Sequence, residues 1–227
     1  MTKHLFLAGF GPGISTAVAE RFGRDGYAVS LVGRNADRIA AGASALAAKG
    51  IKAHAVREDL STPEGVRAAV DKARAAAGPI SIVQWSAYQS GAGDLLTATP
   101  ADLRAVLEVG VVSLSAAVQA THADLKAAKG AVLVTNGGLG YLDPQMDQIG
   151  VQFGAMGLSV VNAAKRKLVA LLATKLRTDG IYVAEVVVTG TVRGSAFDRG
   201  NATIEASAVA DKFWELAQAR KETSVKI

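Results

Sequence analysis

The residues best suited to chemistry come at the start of the chain. The apolar run His4-Leu5-Phe6-Leu7-Ala8 passes directly into Gly9-Phe10-Gly11-Pro12-Gly13-Ile14-Ser15, and an alanine-rich segment of helical spacing follows. Glycine permits a tight turn and a close approach of backbone to ligand, while the first N–H groups of a helix and its dipole attract an anion. A strand turning through Gly9, Gly11 and Gly13 into a helix that opens at Ile14 is therefore a cradle for a pyrophosphate. At the head of an α/β alternation, that pyrophosphate belongs to a dinucleotide.

A second position refines the ligand. The apolar stretch Ala28-Val29-Ser30-Leu31-Val32 ends in Gly33-Arg34-Asn35, and no acid follows until Asp37. A carboxylate at this place holds a ribose 2′-hydroxyl, whereas an arginine pairs with a 2′-phosphate. Arg34 therefore favours NADP(H) over NAD(H); its other reading is a solvated residue after a strand.

These groups need a scaffold, and the hydrophobic pattern supplies one. Strands are expected near 3–8, 28–33, 51–56, 80–86, 130–136 and 181–188, with a short one near 223–227. Most are near-continuous apolar runs, as parallel strands covered on both faces require. Helices are expected over about 13–25, 36–49, 62–77, 100–128, 152–178 and 206–220. Thr62-Pro63 and Thr99-Pro100 read as caps followed by first-turn prolines, and Gly26, Gly50, Gly78, Gly130 and Gly180 as helix stops. The pattern predicts one α/β domain over residues 1–227: a doubly wound parallel sheet, Rossmann-like and three-layered, with its crevice beyond the strand C-termini.

Composition narrows the function classes. Half of the 227 residues are apolar but only 5% are aromatic, so Ala, Val, Leu and Ile build the core. Lys165, Arg166 and Lys167 interrupt the longest apolar stretch, which predicts no membrane span. The opening Met1-Thr2-Lys3 leads straight into a strand, which predicts no secretory leader. Zero cysteines exclude disulfides and thiolate metal sites and fit a cytoplasmic location. His4, His54 and His122 are scattered, so no metal site is expected. A net charge of +5 without clustered basic and aromatic residues reads as a solvated surface rather than a nucleic-acid interface.

Taken together, these motifs resemble the short-chain dehydrogenase/reductase family along essentially the whole chain. The segment from Ala8 to Ser15 is similar to the family's Thr-Gly-x-x-x-Gly-Ile-Gly, with Ala8 and Ser15 as departures. Asp59-Leu60 matches the pair that meets adenine, Trp85-Ser86-Ala87-Tyr88 stands where Asn-Asn-Ala-Gly is usual, and Thr189-Gly190 resembles the Pro-Gly beside the nicotinamide. The resemblance implies that Gly9, Gly11, Gly13 and Ile14 hold the pyrophosphate. It places Arg34 at the 2′-phosphate, Asp59 and Leu60 at the adenine, Ser86 and Ala87 on the ribose side, and Thr189 and Gly190 at the nicotinamide.

The family's catalytic groups are not matched. Counting back from Gly180 puts Leu158 at the position of the family's tyrosine and Asn162 at that of its lysine, so the Tyr-x-x-x-Lys motif is missing. Asn136-Gly137-Gly138 stands at the serine position and Gly110 at the asparagine position. A positioned general acid contributes about 100- to 10,000-fold, so another group must act or the substrate must already be electrophilic. Tyr141, after the fifth strand, is one candidate proton donor; its alternative is a phenol packed over Gly137-Gly138-Leu139-Gly140. Asn136 either donates to a carbonyl oxygen or caps the strand end, and Tyr88 and Ser86 either act or pack their loop. Asp143, Asp147, Gln148 and Gln152 fall in an expected substrate loop over 136–152. Lys165 reads as partly exposed helix surface more readily than as a group that reaches the cofactor.

Two functions remain in view: an NADP(H)-dependent oxidoreductase acting on a small organic substrate, and a catalytically silent NADP(H) binder. The wide stripe Leu103, Val106, Leu107, Val111, Leu114 and Val118 lies on a helix that the family pairs across subunits, so a homo-oligomer, dimer or tetramer, is expected; burial in the monomer core is the competing reading.

Overall fold

A computed structural model describes residues 3–227; Met1 and Thr2, on which the expectation of no leader partly rests, lie outside them. Seven strands make one parallel sheet: β1 (His4–Ala8), β2 (Ala28–Gly33), β3 (Ala53–Arg57), β4 (Ile82–Trp85), β5 (Ala131–Gly137), β6 (Tyr182–Val188) and β7 (Ser224–Lys226). Their spatial order is β3-β2-β1-β4-β5-β6-β7, and the order reverses direction at β1. That switch point opens a crevice beside the Gly9 turn.

Side chains on alternate positions of each strand feed two cores. Phe6, Ala8, Val83, Trp85, Val132 and Val134 pack under α3 (Pro63–Ala77), α5 (Ser113–Ala128) and α7 (Met156–Leu176). Leu5, Leu7, Leu31, Leu133 and Val186 pack under α1 (Ile14–Arg24), α2 (Ala36–Ala47) and α8 (Ala206–Ala219). Two faces buried at once explain why the strands read as unbroken apolar runs. Among the described residues no helix is long and apolar enough to cross a membrane.

The expected caps form. Thr62 Oγ1 accepts from Gly65 N–H, and Thr99 and Asp102 make a reciprocal capping box at the start of α4 (Pro100–Leu107). Those bonds from Thr99 hold the Asp102 carboxyl below its usual value.

Two expectations about the helices need correction. The helix expected over 100–128 is broken by a π turn at Glu108–Val112 between α4 and α5. Gly110 lies in that turn, and a β-carbon there would overlap Val161 of α7, so the turn brings α7 unusually close. The substrate loop expected over 136–152 is instead the end of β5, a 3₁₀ turn at Gly138–Gly140 and a further helix, α6 (Pro144–Gln152). Asp143 caps α6 by accepting from the N–H groups of Gln145 and Met146, with Pro144 in the first turn. The Asp-Pro pair is the same signal as Thr62-Pro63, here spent on a helix of 9 residues. Along the wide stripe, Val106, Leu114 and Val118 belong to the monomer core; outside it, Val112 of the π turn and Val160 and Leu171 of α7 are exposed.

Candidate functional site

Gly9 and Gly13 have φ of +85° and +81°, a region L-residues with side chains rarely occupy. A β-carbon on Gly9 would overlap the backbone of Ala87, and one on Gly13 would come 3.1 Å from Cα of Ser195. The glycine turn is thus clasped by the segment after β4 on one side and the segment after β6 on the other. Gly9 and Phe10 N–H both donate to Val32 O, at 3.0 and 2.9 Å, which ties the turn to the end of β2. Ser15, where the family has glycine, accepts from Gly11 N–H at 3.0 Å and donates to Gly11 O at 2.9 Å. The serine locks the loop from within and takes the Gly11 amide for itself. The first-turn N–H groups of α1, from Ile14 onward, point out of the helix toward the crevice mouth. A cradle that side chains would fill, opening on a helix N-terminus, fits a diphosphate.

Arg34 is exposed between the end of β2 and Asn35, whose Oδ1 caps α2 by accepting from Arg38 N–H at 2.8 Å. The register pairs Gly33 with Arg57 at the end of β3, so a second arginine ends the strand next to the one that Arg34 follows. Sequence reasoning missed Arg57, and only knowledge of which strand neighbours β2 could have found it. Asp59 is exposed and accepts from Ser61 N–H, while Leu60 is buried beneath it.

On the ribose side, Ser86 Oγ lies 2.7 Å from Thr135 Oγ1, and Gln84 Nε2 donates to both hydroxyl oxygens. Thr189 N–H and Oγ1 both donate to Ile227 O, at 2.9 and 2.7 Å, and Gly138 packs against Thr189. The strand ends carrying Ser86, Thr135 and Thr189 therefore meet at one edge of the sheet, together with Gly9 and Ala87.

One candidate catalytic residue bonds a buried carboxylate, and the other is linked to it through an arginine. Asn136 donates to Glu185 Oε2 at 2.7 Å and to Asn162 O at 3.1 Å, and its Oδ1 accepts from Gly137 N–H at 3.0 Å. Both N–H donors of the amide are committed, which leaves none for a substrate oxygen. Tyr141 lies under the Arg166 guanidinium, 4.3 Å from the ring centroid, and Arg166 reaches to 3.6 Å from Glu185 Oε1. Ser224 Oγ donates to that same oxygen at 2.8 Å. Asn136 thus bonds Glu185 on β6 directly and Tyr141 is linked to it through Arg166; sequence reasoning passed over Glu185 because it sits in an apolar strand.

On α7, Leu158 is half-buried and Asn162 is 3% exposed. Lys165 corrects the expectation of helix surface: it is 5% exposed, and its ammonium donates to Thr135 O at 3.1 Å. Burial pushes its pKa down to about 8, against the pull of Glu185. Of the next residues, Lys167 is exposed, while Arg166 is partly exposed and folds over Tyr141 toward Glu185. Asp143, Asp147, Gln148 and Gln152 belong to α6 rather than a loop.

Exposed aromatic and aliphatic side chains lie on the segments that follow β4, β5 and β6. Tyr88, after β4, and Phe197, after β6, pair with ring centroids 5.6 Å apart. Leu95, Leu142 and Phe153 are also exposed on segments that follow β4 and β5. Asp198 closes the Phe197 loop by accepting from Gly194 and Gly200 N–H, bonds that hold its carboxyl below the usual value. Among the described residues no group of three or more His, Cys, Asp or Glu is arranged to hold a metal ion.

A parallel sheet with a glycine turn at its switch point defines a Rossmann-like α/β fold. The short chain dehydrogenase family model matches residues 3–201, and the chain belongs to that family. It is similar to a short-chain dehydrogenase/reductase from Serratia marcescens, with TM-score 0.88 and 23% identity, covering 99% of this chain and 96% of that one. A short-chain dehydrogenase from Sphingobium yanoikuyae in complex with NADPH gives TM-score 0.81 and 22% identity over 98% and 87%. L-Sorbose reductase from Gluconobacter frateurii, complexed with NADPH and L-sorbose, gives 0.85 and 21% over 100% and 95%.

Proposed function

We propose that this chain is an NADP(H)-dependent oxidoreductase acting on a small, already polarised organic substrate, and that one domain over residues 1–227 carries the whole site. The observation that carries the reading is the clasped turn at Gly9 and Gly13, which opens on the first N–H groups of α1. Gly9, Gly11, Gly13 and Ile14 hold the diphosphate in this reading, and Arg34 with Arg57 takes the 2′-phosphate. Asp59 and Leu60 meet the adenine, Ser86 and Ala87 lie on the ribose side, and Thr189 and Gly190 line the nicotinamide. Bound there, the nicotinamide supplies or accepts a hydride. The apolar rim at Tyr88, Leu142 and Phe197 excludes water and receives an apolar substrate body. Zero cysteines support a cytoplasmic setting, and exposed Val112, Val160 and Leu171 support self-association through the π turn and α7.

Titration with NADPH and NADH, followed by nicotinamide fluorescence, tests the cofactor. NADPH is expected to bind more tightly; tighter NADH binding would reverse the role given to Arg34, and no binding of either would end the proposal. Turnover is screened with aldehydes, imines and enones, and repeated with Tyr141→Phe to test the phenol as proton donor. A silent NADP(H) binder is the second reading, favoured by the fully committed amide of Asn136. Binding of NADPH with no consumption on any substrate class would establish it.

A further inference from the structure

Lys165 is a buried cation whose bonds do not account for its burial. An ammonium carries three N–H donors, and Lys165 spends one, on Thr135 O at 3.1 Å. Among the described residues no carboxylate oxygen comes within the 4.0 Å of an ion pair. Its place in the sheet follows from the ladder. Ala131 N–H donates to Ser81 O, so alternate residues of β5 present N–H and C=O to β4, and Thr135 is one of them. Strand β4 ends at Trp85, paired with Val134, so Thr135 O has run past its neighbour. The ammonium caps that carbonyl, which puts it at the carboxyl edge of the sheet between β4 and β5. Ligands of open α/β sheets bind along this edge.

The surrounding residues pack around it. Gly110 in the π turn has no side chain, and a β-carbon there would lie 3.8 Å from Lys165 Cδ. One turn earlier on the same face of α7, Asn162 is almost fully buried and its side-chain amide has no hydrogen-bond partner among the described residues. Both α7 groups therefore bring unspent N–H donors to the end of β5, where Asn136 brings none.

We propose that Lys165, from a position one helical turn beyond the place of the family's lysine, is the proton source of this crevice, with Asn162 as the neutral donor beside it. The inference rests on the oxidoreductase reading above. When hydride from the reduced nicotinamide reaches a substrate carbonyl carbon, the π pair moves to oxygen. An N–H bond of Lys165 then breaks and an O–H bond forms. The carbonyl is reduced to an alcohol, the nicotinamide is oxidised, and the neutral amine regains a proton from water. Glu185 on β6 is the charged group that acts on the ammonium. Segments packed against α7 also carry Glu108 in the π turn, Asp102 and Arg104 on α4 and Asp147 on α6, and α7 itself carries Arg166, Lys167 and Lys175; β4 and β5 carry none.

The test uses protein labelled with carbon-13 at lysine Cε, the Lys165 signal being assigned by its loss in Lys165→Met. Titration with NADP⁺ is expected to move that signal, and 2′,5′-ADP, which lacks the nicotinamide half, is expected to bind without moving it. With NADPH and 4-nitrobenzaldehyde, kcat is expected to fall as pH rises through the midpoint at which the same signal titrates. Lys165→Met is expected to lose at least 100-fold in kcat while its NADPH Kd changes less than about 3-fold. NADP⁺ binding with an unmoved Lys165 signal, or an undiminished kcat in Lys165→Met, overturns the inference and leaves the oxidoreductase reading standing. If NADP⁺ does not bind at all, that reading fails and takes the inference with it.

Discussion

Gly137 and Asn162 compete for one space: a β-carbon on Gly137 would lie 2.6 Å from Asn162 Nδ2. Gly137 ends β5 and Asn162 lies on α7, at positions where the family's pattern has its serine and its lysine. The loss of one side chain is what gives the other amide its seat, so the two departures form a single packing unit.

Gly137→Ser is therefore expected to destabilise the protein by about 1–3 kcal/mol through overpacking. Asn162→Ala should recover much of that loss in the double variant, with a coupling of about 0.5–3 kcal/mol. Urea denaturation of the four proteins gives the cycle. Additive single effects would show that the two residues do not share the space.

Lys165 links stability to pH with a definite sign. Its pKa lies near 8 in the folded protein against 10.5 ordinarily, so the unfolded chain binds more protons between those values. The burial penalty is fully present below about pH 8 and is relieved as pH rises toward 10.5. Lys165→Met keeps most of the stem and removes the charge, and is expected to be more stable than the parent at pH 7 by about 1–3 kcal/mol. The unpaired Thr135 carbonyl offsets about 1 kcal/mol of that gain. The difference should shrink by pH 10, and a difference that widens with pH would refute the sign.

Arg34 decides between the dinucleotides if its guanidinium meets a 2′-phosphate. Arg34→Ser is expected to weaken NADPH binding about 10- to 100-fold, the value of one charge-assisted contact, while NADH changes little. Arg57, in register with Gly33, should retain part of the preference, so the double variant loses more. Equal losses for NADPH and NADH would assign Arg34 a structural role instead.

Much of the scaffold was legible because its signals are local. Every expected strand is present, with ends displaced by at most two residues, since two-sided burial writes itself as a short apolar run. The caps at Thr62 and Thr99 were readable for the same reason. Helix α6 escaped notice because its polar, glycine-containing sequence looks like a loop, although Asp143-Pro144 announced it. The π turn at Gly110 has no local signature; it records how closely α7 approaches. Arg57 became part of the site only when β3 was placed beside β2.

The sequence by itself determined the alternation of strands and helices, the glycine turn and the missing Tyr-x-x-x-Lys, because backbone preference and hydrophobic period act over a few residues. Only the tertiary structure decided which polar groups are spent and which are free. Asn136 finds Glu185 across 49 residues, and Lys165 finds Thr135 across 30. Whether a charged side chain lies on the surface or at the sheet edge depends on contacts of that range, which the packing of α7 against β5 and β6 supplies and no short stretch of chain encodes.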